Sequence, residues 1–190
     1  MRASGRQHGI TLIELLVALA IITIGVMVAV PNMADMSGGR RLAGTAAELQ
    51  SALQFARTEA IRLNTTVVFC HTNDGSTCAA PGGAVWQGWL IRAAGATLGS
   101  ENGPVLRRHN WADPQVELRS NSGLATQGHA IRFNSLGMVR AFTSNAPYSA
   151  ALQACIPASN ITPNIYQINI NSAGLTELVT STSTSAEGAC

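Results

Sequence analysis

The sequence predicts an α+β protein in which a long N-terminal helix precedes an antiparallel, β-rich domain. An uncharged apolar run continues through Pro31 into a second helical pattern, which indicates one long helix. Beyond residue 63 the helical pattern fades into short β-branched or alternating runs, separated by clusters of Gly, Asn, Pro and Ser. A chain of 190 residues suits one globular domain plus an appendage.

The apolar run, residues 10–30, predicts the transmembrane half of the helix. No charged residue occurs from Leu15 to Val30. Counted from Ile10, the run has about 21 residues, or roughly 30 Å of helix, enough to cross a bilayer core. A buried core helix would show a polar face, and this run shows almost none. A secretory signal would end in a small-residue cleavage site, whereas this run continues through Pro31. Arg2 and Arg6 precede the run, which favours a cytoplasmic N-terminus.

The second pattern, residues 31–63, predicts the amphipathic half of the helix, packed on the domain. Pro31 at its start is expected to kink the helix or to free backbone carbonyls. The apolar stripe follows helical spacing and consists of Leu42, Leu49, Leu53, Ala56 and Ala60.

Glu14 is the anomaly of the apolar run. A carboxylate inside an apolar membrane helix costs on the order of 2–4 kcal/mol unless it finds a partner. Glu14 lies close enough to the start of the run to reach the headgroups instead. Composition alone therefore leaves two interpretations, a snorkelling side chain or a paired one.

Residues 64–190 are predicted to form the β-rich domain. In the run YQININ, Tyr166, Ile168 and Ile170 point to one face and the intervening polar residues to the other. The other strand candidates are TTVVFC, WLIR, VELRS, HAIRFN and MVRAF.

The cysteines predict disulfides in an oxidising compartment. All four follow the apolar run and none forms a C-x-x-C pair, which argues against zinc. Three pairings are open, and the simplest joins Cys70 to Cys78 and Cys155 to Cys190. The first pair brackets the turn-rich HTNDGST, and a bridge to Cys190 would hold a polar tail that would otherwise fray.

The charge balance argues against a general affinity for nucleic acid. All twelve basic residues are Arg, and loss of residues 1–9 would leave ten Arg against ten acidic residues. A domain without net charge has no long-range electrostatic attraction for a polyanion, so DNA binding would need a local cluster of arginines. The candidate DNA contacts are Arg107, Arg108 and Arg140.

Catalytic and metal motifs are absent from the sequence, so no enzyme, metal site or cofactor is expected. There is no G-x-S-x-G elbow and no phosphate-binding P-loop. His71 adjoins Cys70, but no further ligands follow at suitable spacing. The histidines are interpreted as packing in loops or on strand surfaces. Trp86 and Trp89 could form a ligand platform, but a core position is favoured.

The segment HGITLIELLVALAIITIGVMVAVPN resembles the N-terminus of type IV pilins and type II secretion pseudopilins. The resemblance implies that residues 1–9 are a leader, that prepilin peptidase recognises Gly9, and that Ile10 becomes the N-methylated first residue. Phe is commoner than Ile at that position. Glu14 would pair with the terminal amine of a neighbouring subunit, with Thr11 assisting. Pro31 would mark where the helix loosens in the filament.

Four later blocks resemble the GspH/FimT/FimU branch of that superfamily: LQSALQFARTEAIRLNTTVVFC, VWQGWLIR, IRFNSLGMVR and YQININSAGLTEL. The branch implies a long helix followed by a β-rich domain with two packed sheets, with the two tryptophans on a strand. Its DNA-uptake members carry a Gly-Arg-x-Arg motif. The matching segment, residues 174–177, reads Gly-Leu-Thr-Glu and lacks both arginines.

The resemblance implies a non-catalytic minor pilin or pseudopilin at or near a filament tip, where it primes assembly for type II secretion or pilus biogenesis. Alternatives are a DNA-binding minor pilin for natural transformation and a single-pass membrane enzyme. Expected partners are other major and minor pilins or pseudopilins, prepilin peptidase, the inner-membrane assembly platform and the lipid bilayer, but not nucleic acid. The expected location is the bacterial inner membrane, with the N-terminus cytoplasmic and the domain periplasmic, and then the filament tip.

Overall fold

The computed structural model describes residues 11–82, 85–94, 103–110, 115–142, 144–157 and 161–182, and for residues 28–35 it describes the backbone alone. The chain divides into two compact units, Met1–Ser37 and Gly38–Cys190, which are described separately. The predicted processing residues Gly9 and Ile10, and the predicted bridge partner Cys190, lie outside the described residues.

Helix α1 spans Leu12–Arg62, and its assignment continues through Pro31. The loosening of the helix at Pro31 on assembly therefore stays a prediction. In the described part of the chain, no helix meets both the length and the hydropathy that a membrane span requires. The transmembrane half predicted for residues 10–30 begins at an undescribed residue and ends among residues without described side chains, so it also stays a prediction.

In the second unit, α1 buries the predicted stripe. Each of its five residues is fully buried, and so are Ala46 and Ala52, which the prediction omitted. Burial of such a stripe, rather than helix propensity, supplies most of the stability of a helix in a folded protein.

The strands of the described residues form two antiparallel sheets. Sheet A has the order β3-β2-β1-β5-β6 and sheet B the order β4-β7-β8-β9. A short helix α2, Ser122–Thr126, links β4 to β5. The strands are β1 Val67–His71, β2 Gly88–Ala93, β3 Val105–Asn110, β4 Glu117–Ser120, β5 Ala130–Phe133, β6 Val139–Arg140, β7 Ala150–Cys155, β8 Ile165–Ile170 and β9 Thr176–Ser181.

One core lies between α1 and the inner faces of both sheets. Sheet A contributes Phe69, Ile131 and Phe133, and sheet B contributes Leu152 and Ile168. Trp86 and Trp89 also belong to this core, stacked on Phe69 at 5.9 and 5.4 Å between ring centroids. Trp89 lies in β2, whereas Trp86 precedes that strand, so its expected place on a strand is wrong. The predicted α+β fold with a helix on two packed sheets is confirmed.

The outer face of sheet A is covered by a loop that a disulfide holds in place. Cys70 is bonded to Cys78 across a Cα–Cα distance of 5.6 Å, as the local pairing predicted. Val68, Leu90 and Ala130 pack with Cys70 and Cys78 in a second apolar cluster beneath this loop. Cys155 is also disulfide-bonded.

Arg92 and Asp74 fix the covering loop, residues 71–77. Arg92 is nearly buried and donates to the carbonyls of Ser76 at 3.1 Å and Gly103 at 2.7 Å. The carboxylate of Asp74 accepts hydrogen bonds from the hydroxyls and amides of Ser76 and Thr77. These bonds, above all those from Ser76, hold the pKa of Asp74 well below its usual range. The loop is therefore a fixed part of the fold.

Two turns of the same sequence pattern, Asn-Ser-x-Gly, join the sheets below the end of α1. In the turn of residues 134–138, Asn134 Oδ1 accepts from two backbone amides at 3.1 and 2.9 Å. In the turn of residues 171–175, Asn171 Oδ1 does the same at 3.1 and 3.0 Å. The turns meet because Val139 N–H donates to Ser172 O at 3.0 Å. Arg57 of α1 donates to Gly137 O at 3.1 Å and so ties the helix to both turns.

Replacing Gly174 by Ala tests this paired-turn contact. Gly174 has φ +77°, and an added Cβ would collide with the carbonyl oxygen of Gly137. We expect G174A to lower the free energy of unfolding by about 2–4 kcal/mol, since the left-handed conformation and the collision both cost energy. The measurement is chemical denaturation of the detergent-solubilised chain.

Gly44 supplies the matched control. It lies in α1, it is exposed, and nothing would contact an added Cβ. G44A is expected to raise stability by roughly 0.5–1 kcal/mol, because Gly is the weaker helix former. Equal stabilities for G174A and G44A would contradict a tight contact between the turns.

Candidate functional site

The first unit presents a helix whose large apolar side chains are exposed all around. From residue 12 to 27 they run from half exposed to almost four-fifths exposed. A soluble monomer rarely leaves such a contiguous apolar surface uncovered, so it marks a membrane or protein contact. The exposed residues are Leu12, Ile13, Leu15, Leu16, Val17, Leu19, Ile21, Ile22, Ile24, Val26 and Met27.

Glu14 lies in the first turn of this exposed helix. Its amide donates to Thr11 O at 3.1 Å and approaches Thr11 Oγ1 at 3.4 Å, so the structure brings these two predicted assembly residues together. The carboxylate is exposed, and no cation among the described residues pairs with it. Its place in the first turn puts this carboxylate near the positive end of the helix dipole.

The three predicted DNA-contact arginines do not form one cluster. Arg107 and Arg108 lie in β3, at one edge of sheet A, and Arg140 lies in β6, at the other. Arg107 points inward, with its guanidinium carbon 5.8 Å from the Phe55 ring centre. Arg108 points outward, beside Gly75 of the covering loop. Arg107 and Arg108 face opposite sides of the sheet, as neighbouring residues of a strand do, and their role as DNA contacts stays a prediction.

The segment that would hold the DNA-uptake motif lies in the second paired turn and β9. Leu175 and Glu177 are both exposed there, at the two positions where that motif has arginine. An exposed carboxylate at this surface repels phosphate. The geometry thus does not favour the DNA-binding alternative.

A partly buried hydrogen-bond network that the sequence did not reveal joins sheet A to sheet B. Trp86 Nε1 donates to Ser120 Oγ at 2.9 Å, and this hydroxyl contacts Nδ1 of His129 at 2.6 Å. After accepting from Trp86, this hydroxyl keeps one proton and a second lone pair for its contact with His129. His129 adopts φ +54°, and its carbonyl accepts from the His71 amide. Nothing in the local sequence signals these pairings, which depend on strand register.

His71 is fully buried, so its expected place in a loop or on a strand surface is wrong. The Gln87 amide donates to its Nε2 at 3.2 Å, which places the imidazole proton on Nδ1, 2.6 Å from Ala79 O. His71, the last residue of β1, therefore joins Ala79, just beyond the covering loop, to Gln87, just before β2. Among the described residues, no three His, Cys, Asp or Glu side chains are grouped as a metal site.

Comparisons with known proteins agree with the fold. The model of the family described as Type II transport protein GspH matches residues 45–174, and the prokaryotic N-terminal methylation motif matches residues 4–30. The chain belongs to the GspH family. It is thus a pilin-like structural subunit, and its methylation motif and N-terminal helix indicate a membrane-anchored pilin with a periplasmic domain.

Two crystal structures of the type IV minor pilin FimU of Pseudomonas aeruginosa share this fold. One has 20% identity and a TM-score of 0.52, and the match covers 74% of this chain and 89% of FimU. The other has 19% identity and a TM-score of 0.50, with 72% and 91% covered. No curated protein matches the chain.

Mild acid should weaken the GspH-like domain through His129. Burial, and then the nearby His71, lower the pKa of His129 below its usual 6.5. The unfolded state therefore binds this proton more readily, so the stabilisation is present above about pH 6.5 and is lost as the pH falls through the lowered folded pKa. We expect Tm to fall between pH 7.5 and 5, where Glu59 and Asp74, whose pKa values are lowered, stay ionised.

H129N is the variant that checks this expectation. Asn tolerates the left-handed conformation and keeps a polar group beside Ser120, but it does not titrate. Thermal unfolding followed by circular dichroism should show a smaller loss of Tm on acidification than in the wild type. Parallel curves for the two proteins would show that His129 does not control the acid sensitivity.

Proposed function

We propose that this chain is a minor pilin or pseudopilin that enters a filament at or near its tip and primes assembly. The observation that carries the proposal is the exposed apolar helix of residues 12–27 with a single carboxylate in its first turn. Its apolar surface fits lipid before assembly and neighbouring helices afterwards. The domain beyond Gly38 folds around its own stripe and does not need the first unit for its core.

In this proposal, Glu14 sets the position of each subunit along the filament relative to its neighbour. Cleavage after Gly9 would create a new amine on Ile10, and the amine of a neighbouring subunit would be the cation that Glu14 lacks among the described residues. A carboxylate and an ammonium attract each other strongly where water is excluded, but only at close approach. A subunit that slips along the bundle would leave both charges unpaired in an apolar setting. Thr11, which contacts the Glu14 amide, helps to fix the first helical turn.

Processing of the N-terminus is the first expected outcome. Intact-mass and peptide mass spectrometry of the membrane-extracted protein should show a chain that starts at N-methylated Ile10. A chain that retains Met1, or one cut beyond Val30, would contradict the pilin function. A strain without prepilin peptidase is the control, and it should accumulate the unprocessed chain.

Removal of the Glu14 carboxylate should block assembly without blocking processing. E14A is expected to lower incorporation into sheared filaments by at least about tenfold, as the loss of one desolvated ion pair would give. The measurement is the ratio of filament-bound to membrane-bound protein on immunoblots. E177A is the matched control, because Glu177 is also an exposed carboxylate without a described ion-pair partner. Normal incorporation of E14A would mean that Glu14 only snorkels.

A deletion of the gene in the same bacterium identifies whether the subunit belongs to a secretion system or to a pilus. A deletion strain that loses secreted proteins but keeps its pili places the subunit in a type II pseudopilus. A strain that loses surface pili and keeps secretion places it in a type IV pilus.

A further inference from the structure

Two arginines stand directly opposite each other on the outer face of sheet A. In the antiparallel pairing of β5 with β6, Arg132 is the partner of Arg140, and the next pair, Phe133 and Val139, points into the core. Arg132 and Arg140 therefore share the outer face, at the edge of the sheet. Both are half-buried.

This arginine pair has no carboxylate partner among the described residues. Arg132 Nη1 and Arg140 Nε are buried without a hydrogen-bond partner, and Arg140 Nη2 reaches the sulfur of Met138 at 3.4 Å. Two other arginines of the domain are satisfied within it. Arg119 pairs with Glu117 at 2.6 Å, and Arg92 bonds to two backbone carbonyls.

Such a pair works against the stability of the isolated subunit. Like charges directly opposite in a sheet repel each other, and a buried guanidinium donor without an acceptor has lost its hydration with no replacement. Desolvation also lowers the pKa of Arg132. A side-chain carboxylate placed between the two guanidinium groups would offset their repulsion, and a small shift of the two half-buried side chains would let it accept from the unpartnered nitrogens.

We propose that Arg132 and Arg140 form a docking site for a carboxylate side chain on a neighbouring subunit of the filament. The proposal rests on the proposed function, and it names a partner contact that lies outside the apolar helix. Charge complementarity and the unsatisfied donors favour an acidic group.

A protein carboxylate fits this site better than a nucleic acid. A polyanion needs a track of cations, but on this face Arg92 lies beneath the covering loop and Arg108 is at the opposite edge. Three strand spacings separate Arg108 from Arg132, which is about 14 Å. The loop closed by Cys70 and Cys78 lies over the sheet between them.

The decisive variant is R140E, made in the full-length chain. Its carboxylate would pair with Arg132 inside the subunit and so satisfy the site from within. We expect a higher Tm than the wild type in detergent, together with at least tenfold lower incorporation into sheared filaments and unchanged processing. R140Q should lose incorporation similarly while its Tm stays equal or rises. A lower Tm for R140Q would show that Arg140 stabilises the fold, and normal incorporation of R140E would also overturn the proposal.

R108Q is the control, since it removes an outward arginine at the other edge of the same sheet. It should enter filaments normally, and a loss equal to that of R140Q would indicate an extended basic surface and overturn the proposal. If the wild-type chain shifts duplex DNA, and R140Q loses this shift but still enters filaments, the pair is assigned to nucleic acid instead. If the wild type itself is absent from filaments, the proposed function fails, whereas an assembling R140E contradicts the carboxylate site alone.

Discussion

The buried stripe of α1 is the constraint on which the domain depends. Neither sheet could bury its inner face alone, and the helix supplies the surface that both share. Alanines and leucines share the stripe, and the bulky ring of Trp89 belongs to the same buried core. The paired turns complete this arrangement, because Arg57 reaches from the helix to Gly137 where the two sheets meet. Helix position, sheet packing and turn geometry therefore depend on one another.

The same helix performs a different task in the first unit. There its apolar residues have no cover within the described chain, whereas the stripe that begins at Leu42 is fully buried. One continuous helix thus buries apolar residues in the domain and exposes others in the first unit. Under the proposed function, the domain can fold before assembly while the exposed apolar surface remains for lipid or for other helices. The charge pattern supports this division, because Glu14 interrupts the part that has no partner in the described chain.

Local patterns predicted the features that local physics controls. The stripe of α1, six of the strands and the Cys70–Cys78 bridge follow from periodicity, β-propensity and loop length. Strands β3, β7 and β9 were missed because VLRRHN and TELVTS are polar edge strands and AALQAC is rich in alanine. The burial of His71, the Ser120–His129 contact and the separation of Arg140 from Arg108 depend on register between distant strands. Of the candidate site, the sequence identified Glu14 and Thr11 but not the pair formed by Arg132 and Arg140.

Some charges of the described chain are paired within it and others are not. Arg62 pairs with Glu59, and Arg119 pairs with Glu117. Glu14 on the apolar helix and the Arg132–Arg140 pair at the edge of sheet A have no ion-pair partner among the described residues, and neither has Glu177. A polymer held by apolar helices alone would have weak register, because hydrophobic contact is non-directional. Charges that find partners only in the correct neighbour make the contact between subunits directional, since each misplaced subunit would bury them unpaired. Contacts of this kind at two separate surfaces would also distinguish a subunit that starts a filament from those that extend it, because the two sites can meet different partners.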